Sequence, residues 1–569
     1  MSRPRTAVLA GLSMLVLVSA SPALAGPGSG DTLVTVGSPT THFPRNKQNE
    51  PAVAIAMDAA NPHVLAAGSN DEVDLAPCQG SSCPFTPGVG VSGIYFSLNG
   101  GSSWTQPTYR GYTARNGTPH VGPIGTLPKY YESGLVSDGD PALAFGPRPG
   151  PGGFSYANGS RLYYANLTAN FPGKTTFHAY EAVAVSRTDD VRAAAAGDAS
   201  AWRAPVIAST QLTHGGIFSD KEAIWADNAA SSRFFGNVYV CWTSYRGTSA
   251  SPILLTRSTD GGQHWSNPVL VTHGGSGTYT GPSFCAIRTD SRGAVYVGYE
   301  NGTAKGQAQQ MLAVSTDGGR SFGPHHPVAN AVLPGRLDPV HVRTGDPRFT
   351  MDGLAGARTD AGLSLDIANG APTGRDATEE MVMAWSDGRR GLNREQALVQ
   401  YSRNGGGSWS SPVAAQQGTD RPDYTAVAIS PNGGDVYLVY DALLAPWRPT
   451  MFTPRPMQGV VRHANVGRDG AIGSFATLHR GEIGDTRASS QNGLTAGFLG
   501  DYNYVMASRT FGTAVWNDVR RAQVCPAIDR YRQSLLTANP LPAPAPPRDC
   551  PARFGNTDIY GGTYADPTP

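Results

Sequence analysis

The stretch Ser258-Thr259-Asp260-Gly261-Gly262-Gln263-His264-Trp265 returns as Ser315 to Phe322 and, with Asn in place of Asp, from Ser97 to Trp104 and from Ser402 to Trp409. This Ser-x-Asp/Asn-x-Gly-x-x-aromatic pattern constrains the fold more than any other feature of the chain. Asp or Asn accepts hydrogen bonds from backbone N–H groups a few residues on. Gly supplies a positive φ where a side chain would clash, and the closing ring covers the turn. Residues of high strand propensity precede the copies, as in Ile94-Tyr95-Phe96, Ile253-Leu254-Leu255 and Met311 to Val314. Each unit therefore reads as strand, turn, strand, and the turn itself is expected to be scaffold rather than chemistry.

A second repeat sets the architecture. Short apolar runs begin after an acid or a Pro at Glu50, Asp140, Asp220, Gly281, Asp346, Asp423 and Asp501, at separations of 61 to 90 residues. A second run follows most starts: His63 to Gly68, Arg161 to Ala165, Asn237 to Trp242, Ala294 to Tyr299, Glu380 to Trp385, Asp435 to Tyr440 and Thr513 to Trp516. Four antiparallel strands per unit make a propeller blade. The chain is read as all-β, a single propeller of seven four-stranded blades over residues 26–569, with six blades as the alternative count. After the last third strand (Thr557 to Tyr564) the chain ends. The missing fourth strand is expected from Thr32 to Gly37, which removes an exposed edge.

The first 25 residues are read as a secretory signal peptide: Arg3 and Arg5, an apolar run from Ala7 to Val18, and Ala23-Leu24-Ala25 before the cleavage point. No other run approaches the ~18 apolar residues a membrane span needs, so an exported protein without membrane insertion is expected. The six Cys fit that compartment. Cys78–Cys83, Cys241–Cys285 and Cys525–Cys550 are the expected pairs among 15 connectivities. Zinc is the alternative use, but no C-x₂-C pair with partnering His is present. The formal charge of +1 gives no electrostatic case for nucleic acid. A monomer is expected.

The four turns resemble the Asp-box, or BNR repeat, of the sialidase superfamily of β-propellers, and the resemblance spans the chain from about Asn49 to Tyr564. It implies a site on a propeller face, an Arg-Ile-Pro on the first strand, an Arg triad for a substrate carboxylate, a Tyr/Glu nucleophile pair and an Asp acid/base. This sequence departs from that pattern. Its first strand reads Asn49-Glu50-Pro51-Ala52, no Arg-Ile-Pro occurs, and Glu50 stands near where the first triad Arg is implied. The superfamily sometimes binds Ca²⁺ through loop acids. No defined loop for it is visible here, so a structural Ca²⁺ stays open, no other cofactor is expected, and no metal ligand is assigned.

Up-and-down pairing places the starts of first strands and the ends of second strands on one face, with the repeated turns on the other. Glu50, Asp140, Asp220, Asp346, Asp423 and Asp501 then ring the channel mouth. Three second strands end in Trp-x-x-x-Arg, namely Trp242/Arg246, Trp385/Arg389 and Trp516/Arg520, which puts the three Arg on the same rim. An acid repeated in most blades reads first as a backbone cap with an Arg to neutralise it. Positions that break the repeat are the better candidates: Asp220-Lys221-Glu222, which adds a carboxylate, and Asp501-Tyr502, which sets a phenol beside an acid. Paired carboxylates or a Tyr nucleophile are the means of glycoside hydrolysis. The expected function is thus an exported glycan-directed hydrolase. Asp220, Glu222 or Asp501 would be acid/base and Tyr502 the nucleophile. Arg246, Arg389 and Arg520 would be substrate clamps, with Asp346, Asp140 and Glu50 on the binding rim. The alternative is a non-catalytic exported propeller that binds a cell-wall glycan or a protein.

Overall fold

The computed structural model describes residues 1, 30–58, 61, 63–209, 217–246, 251–273, 281–344 and 348–567. Seven antiparallel sheets follow one another along the chain. Their inner strands are Gln48–Ile55, Ala142–Gly150, Phe218–Ala226, Gly281–Thr289, Ser364–Ile367, Arg421–Ile429 and Tyr504–Ala507. Each inner strand packs against the next, and the seventh packs against the first, so the sheets close a ring around a channel. The chain is a seven-bladed β-propeller.

The ring closes as expected. Thr32–Leu33 pairs with Asp558–Ala565 in the register Thr32↔Gly561 and Leu33↔Tyr560, so the N-terminal segment supplies the outer strand of blade seven. Three blades depart from four strands: the sheets of blades two and six carry a fifth, and blade one falls short. The sheet of blade one has three, extended by the isolated bridges Gly93↔Thr126 and Phe96↔Thr105. The core lies between sheets, where strand residues such as Tyr95, Tyr239, Trp242, Trp385 and Trp516 are fully buried. All six Cys form the three expected pairs, and Cys241–Cys285 joins the second strand of blade three to the inner strand of blade four.

The four repeated turns share one hydrogen-bond pattern. In the third-blade copy, Gly262 N donates to Ser258 Oγ at 2.8 Å, while Gln263 N and His264 N both donate to Asp260 Oδ1 at 3.0 Å. The Asn copies keep the bond to Ser Oγ and one of the two to the turn side chain: Gly101 N reaches Ser97 Oγ and Ser103 N reaches Asn99 Oδ1, while Asn99 Nδ2 donates to Ser103 Oγ. These turns also lock neighbouring blades. Arg161, which lies in the second strand of blade two, donates through Nη1 to Gly261 O at 2.8 Å, and Arg257 donates to Gly319 O at 3.3 Å.

One expectation is corrected. The inner strand of blade five is Ser364–Ile367, not the run from Asp346. Phe349–Thr350 pairs instead with Arg336–Leu337 in a small hairpin that precedes the blade, and Asp346 itself lies outside the described residues. The signal-peptide reading also falls outside them. The insertion between Val519 and Gly555 carries the helix Pro526–Ser534 and one short helical turn at Pro546–Asp549. Among the described residues, no helix is long and apolar enough to cross a membrane.

Candidate active site at the channel mouth

The inner strands carry a shared irregularity. The strand registers shift between Asn49 and Ala52, Asp220 and Ala223, Ser283 and Ala286, and Asp423 and Ala426. At each shift one non-Gly residue is left-handed: Glu50, Lys221, Phe284 and Tyr424 have φ of 55°, 56°, 53° and 51°, and Asp140 has 49° in blade two. A bulge adds one residue and re-aims a side chain that strict alternation would send elsewhere. Such conformations cost roughly 1–3 kcal/mol each and persist where the surrounding structure over-determines them. Lys221, Phe284 and Tyr424 all line one cavity.

The acids of the repeat are therefore not equivalent, contrary to the sequence reading. Glu50 and Asp140 occupy the left-handed position, whereas Asp220 and Asp423 come one residue before it. The signal that finds the true register is the small residue after the bulge, Ala52, Ala142, Ala223, Ala286 and Ala426. Aligned on that Ala, Glu222 stands where Pro51 and Pro141 stand in the first two blades.

The cavity measures about 110 Å³, room for several waters or a small polar group. Glu222, Asp501 and Tyr502 line it, with Lys221, Arg288, Asp360 and Tyr504. Lys221 Nζ lies 2.5 Å from Asp501 Oδ2, 3.4 Å from Asp220 Oδ1 and 3.5 Å from Asp140 Oδ2. From the other side Arg358 grips both oxygens of Asp501, Nε to Oδ1 at 2.5 Å and Nη2 to Oδ2 at 2.6 Å. It also lies 3.6 Å from Glu50 Oε1 and stacks on Phe498. Gly500 lets this happen: a Cβ there would meet Glu50 Cγ at 2.3 Å.

The electrostatics divide the carboxyls. Burial pushes Asp501 up, but Arg358 and Lys221 outweigh it and hold the group below the usual carboxylate range. Against their own burial, Asp220, Asp501 and Asp140 hold Lys221 charged, and Asp501 and Glu50 do the same for Arg358. Asp360 behaves in the opposite way. It forms a carboxyl–carboxyl pair with buried Glu300, and both are raised, first by burial; the facing carboxyl adds to the rise of Glu300 and the charge of Asp501 to that of Asp360. Across the mouth, burial and its acidic neighbours raise Asp140 to about 7, and burial raises Asp220 to about 6. Glu222 is driven well above the ordinary value by burial, then by Asp140 and Asp220, and neither of its oxygens has a hydrogen-bond partner. Burial, with the charges of Asp140 and Glu50, raises the Tyr502 phenol well above 10, which keeps it protonated.

The three rim arginines do not line this cavity. Arg389 is held by Asp387, Nε to Oδ1 at 2.7 Å, and the same Asp387 accepts from Trp385 Nε1 at 2.8 Å. Arg520 pairs with Asp518 and with Asp31, each at 2.7 Å, and stacks 3.7 Å above Tyr560. Arg246 reaches only Ser244 Oγ, at 3.5 Å, among its described contacts. The Trp-x-Asp-x-Arg run is thus a local clamp within one strand end. Arg288, the other cation at the cavity wall, is spent on Asp366 at 2.6 Å and lies over Trp225. The sequence reading missed Arg358, Asp360 and Glu300. The first two enter on the insertion before blade five, where the repeat was placed one segment too early.

Fold and site together define a seven-bladed β-propeller with a carboxylate-lined channel mouth. No family model and no curated protein matches the chain. Among solved structures it is similar to the Hadza microbial sialidase Hz136, at 11% identity and a TM-score of 0.40 over 70% of this chain and 63% of that one. The intramolecular trans-sialidase from Ruminococcus gnavus gives 11% and 0.41 over 72% and 94%, and the Trypanosoma rangeli sialidase gives 11% and 0.37 over 71% and 53%. Likenesses this distant say nothing about activity.

Proposed function

We propose that this protein is an exported, glycan-directed hydrolase that works at the channel mouth on a neutral sugar. One observation carries the reading: a single cavity wall holds Asp501, kept ionised by Arg358 and Lys221, and Asp360, which burial and the charge of Asp501 push up and which pairs with Glu300, itself driven well up by burial and by Asp360. Carboxyls whose environments push their proton affinities apart are how a site sets an acid beside a base. In this reading the Glu300–Asp360 pair gives its proton to the glycosidic oxygen as the bond to the anomeric carbon breaks. Asp501 faces the positive charge that develops there. Water then adds to the sugar and returns a proton to the pair.

A sialoside fits less well. Lys221, Arg288 and Arg358 are each engaged by a carboxylate, so a substrate carboxylate would have to break one of these pairs. The export assignment rests on the three disulfides and on the leader read from the sequence.

The test is a product assay of the chain from Gly26 onward against neutral polysaccharides and sialosides, read by mass spectrometry. Sugars released with addition of water, lost in Asp501→Asn, are expected. In Asp360→Asn the rate should fall about 10²–10⁴-fold, with the alkaline limb of the pH profile altered. Glycan retained on the protein with no product would sink the hydrolase reading in favour of a non-catalytic binding propeller.

A further inference from the structure

The other half of the channel mouth holds a group of acids that the proposed reaction does not use. Asp140 and Asp220 flank Glu222, and each of the three offers an oxygen within 4.8 Å of the others. Glu222 occupies the position where blades one and two have Pro, so this blade alone sets a carboxylate at that point of its bulge. Both Glu222 oxygens are buried and unpartnered. Glu181, from blade two, is 3% exposed, has an unpartnered Oε1, and lies close enough to feel the charges of Asp140 and Asp220. The cation paired with these acids is Lys221, whose shortest contact, 2.5 Å, is to Asp501 on the far side. Carboxylates gathered out of water without a matching cation are costly, and an arrangement of this kind is stable when an ion completes it.

We infer that Asp140, Asp220 and Glu222 form a binding site for a hard divalent cation of the Ca²⁺ type, with Glu181 as a further buried carboxylate nearby. Oxygen-only donors select a hard ion, and several convergent carboxylates suit Ca²⁺, which takes about six to eight oxygens in flexible geometry, better than Mg²⁺, which keeps several waters and is bound through one or two carboxylates. The site ties the inner strands of blades two and three together beside the catalytic cavity. Its three ligands are neither Asp360 nor Asp501, and its test reads ion binding rather than turnover, so it can fail or succeed apart from the hydrolase reading.

The test uses the mature chain stripped with EDTA and titrated with CaCl₂ in a calorimeter, with thermal unfolding in parallel. One equivalent of Ca²⁺ should bind and raise the Tm. Tb³⁺ should bind in its place and luminesce when tyrosine is excited, because Tyr130, Tyr164 and Tyr502 stand near Glu222. Glu222→Gln should abolish the heat, the luminescence and the Ca²⁺-dependent rise in Tm. Without Ca²⁺ its Tm should be no lower than that of the natural chain, because the substitution removes a buried unpaired acid. Glu181→Gln should weaken binding at least 10-fold. No heat and no shift in Tm with Ca²⁺ would overturn the inference. So would a Ca²⁺ response undiminished in both variants, which would place the ion elsewhere.

Discussion

Lys221 and Asp501 are separated by 280 residues of chain and meet at 2.5 Å, the ammonium of blade three on the carboxylate of blade seven. The contact spans the channel and joins two blades that are not neighbours in the ring. It also sets the charge state of the site, because the same ammonium faces Asp140 and Asp220. Removing one partner of a buried pair leaves the other charge uncompensated, at about 3–5 kcal/mol. Lys221→Met is therefore predicted to lower the free energy of unfolding by about that amount, measured by urea denaturation. Lys221→Arg should recover part of the loss. An unchanged midpoint in Lys221→Met would mean that the ammonium does not hold the mouth together.

The rim arginines give a second prediction, because two with the same sequence motif sit in different surroundings. The Arg520 side chain is 6% exposed and bridges Asp518 to Asp31 at the ring closure. The Arg389 side chain is 35% exposed and serves its own Asp387. Arg520→Ala should destabilise by about 3 kcal/mol or more, and Arg389→Ala by no more than about 1 kcal/mol. Neither should change KM for a glycan substrate. A large rise in KM with stability intact would restore them as substrate clamps.

Stability should depend on pH through acids that do not line the cavity. Burial, helped by Asp290, raises Asp227 from 3.8 to about 7, and burial likewise raises Asp558 from 3.8 to about 6. A group whose pKa is higher in the folded state contributes stability below its unfolded value and loses it as pH rises through the folded one. These two therefore favour the fold most near pH 4 and progressively less up to about pH 7. Unfolding followed by circular dichroism across that range should show the decline. Asp227→Asn should flatten part of it while keeping an acceptor for Ser232 Oγ, which donates to Asp227 Oδ2 at 2.6 Å. A slope unchanged by that substitution would contradict the assignment.

The Cys241–Cys285 bond links adjacent blades and closes a separation of 44 residues. A cross-link of this kind stabilises by restricting the unfolded chain, typically about 2–4 kcal/mol. The Cys241→Ser/Cys285→Ser variant should lose about that much free energy of unfolding, read as a lower denaturant midpoint. Its midpoint should also be less sensitive to reductant than that of the natural chain. Equal midpoints would show that packing between blades three and four suffices without it.

The blade count, the second strands, the repeated turns, the closure by Thr32–Leu33 and the three disulfide pairs were all legible from the chain. Each rests on local chemistry: strand propensity, turn residues at fixed offsets, and Cys spacing. The same local signals misplaced the fifth inner strand, because Phe349–Thr350 is itself a short strand after an acid and a Pro. They also treated Asp140 and Asp220 as equivalent, because an acid repeats in both blades and the offset between them shows only when the strands are aligned on the Ala after the bulge.

The sequence by itself thus determined an all-β ring and the segment that closes it, since hydrogen-bonded strands and turns follow from residues near one another. Only the tertiary structure decided which charges meet. Arg358 reaches Asp501 across 143 residues, and Asp360 reaches Glu300 from another blade. Lys221 points into the channel because its backbone is left-handed at a bulge. Whether a carboxyl is ionised depends on burial and on cations brought in from distant blades, and these are properties of the closed ring rather than of any stretch of chain.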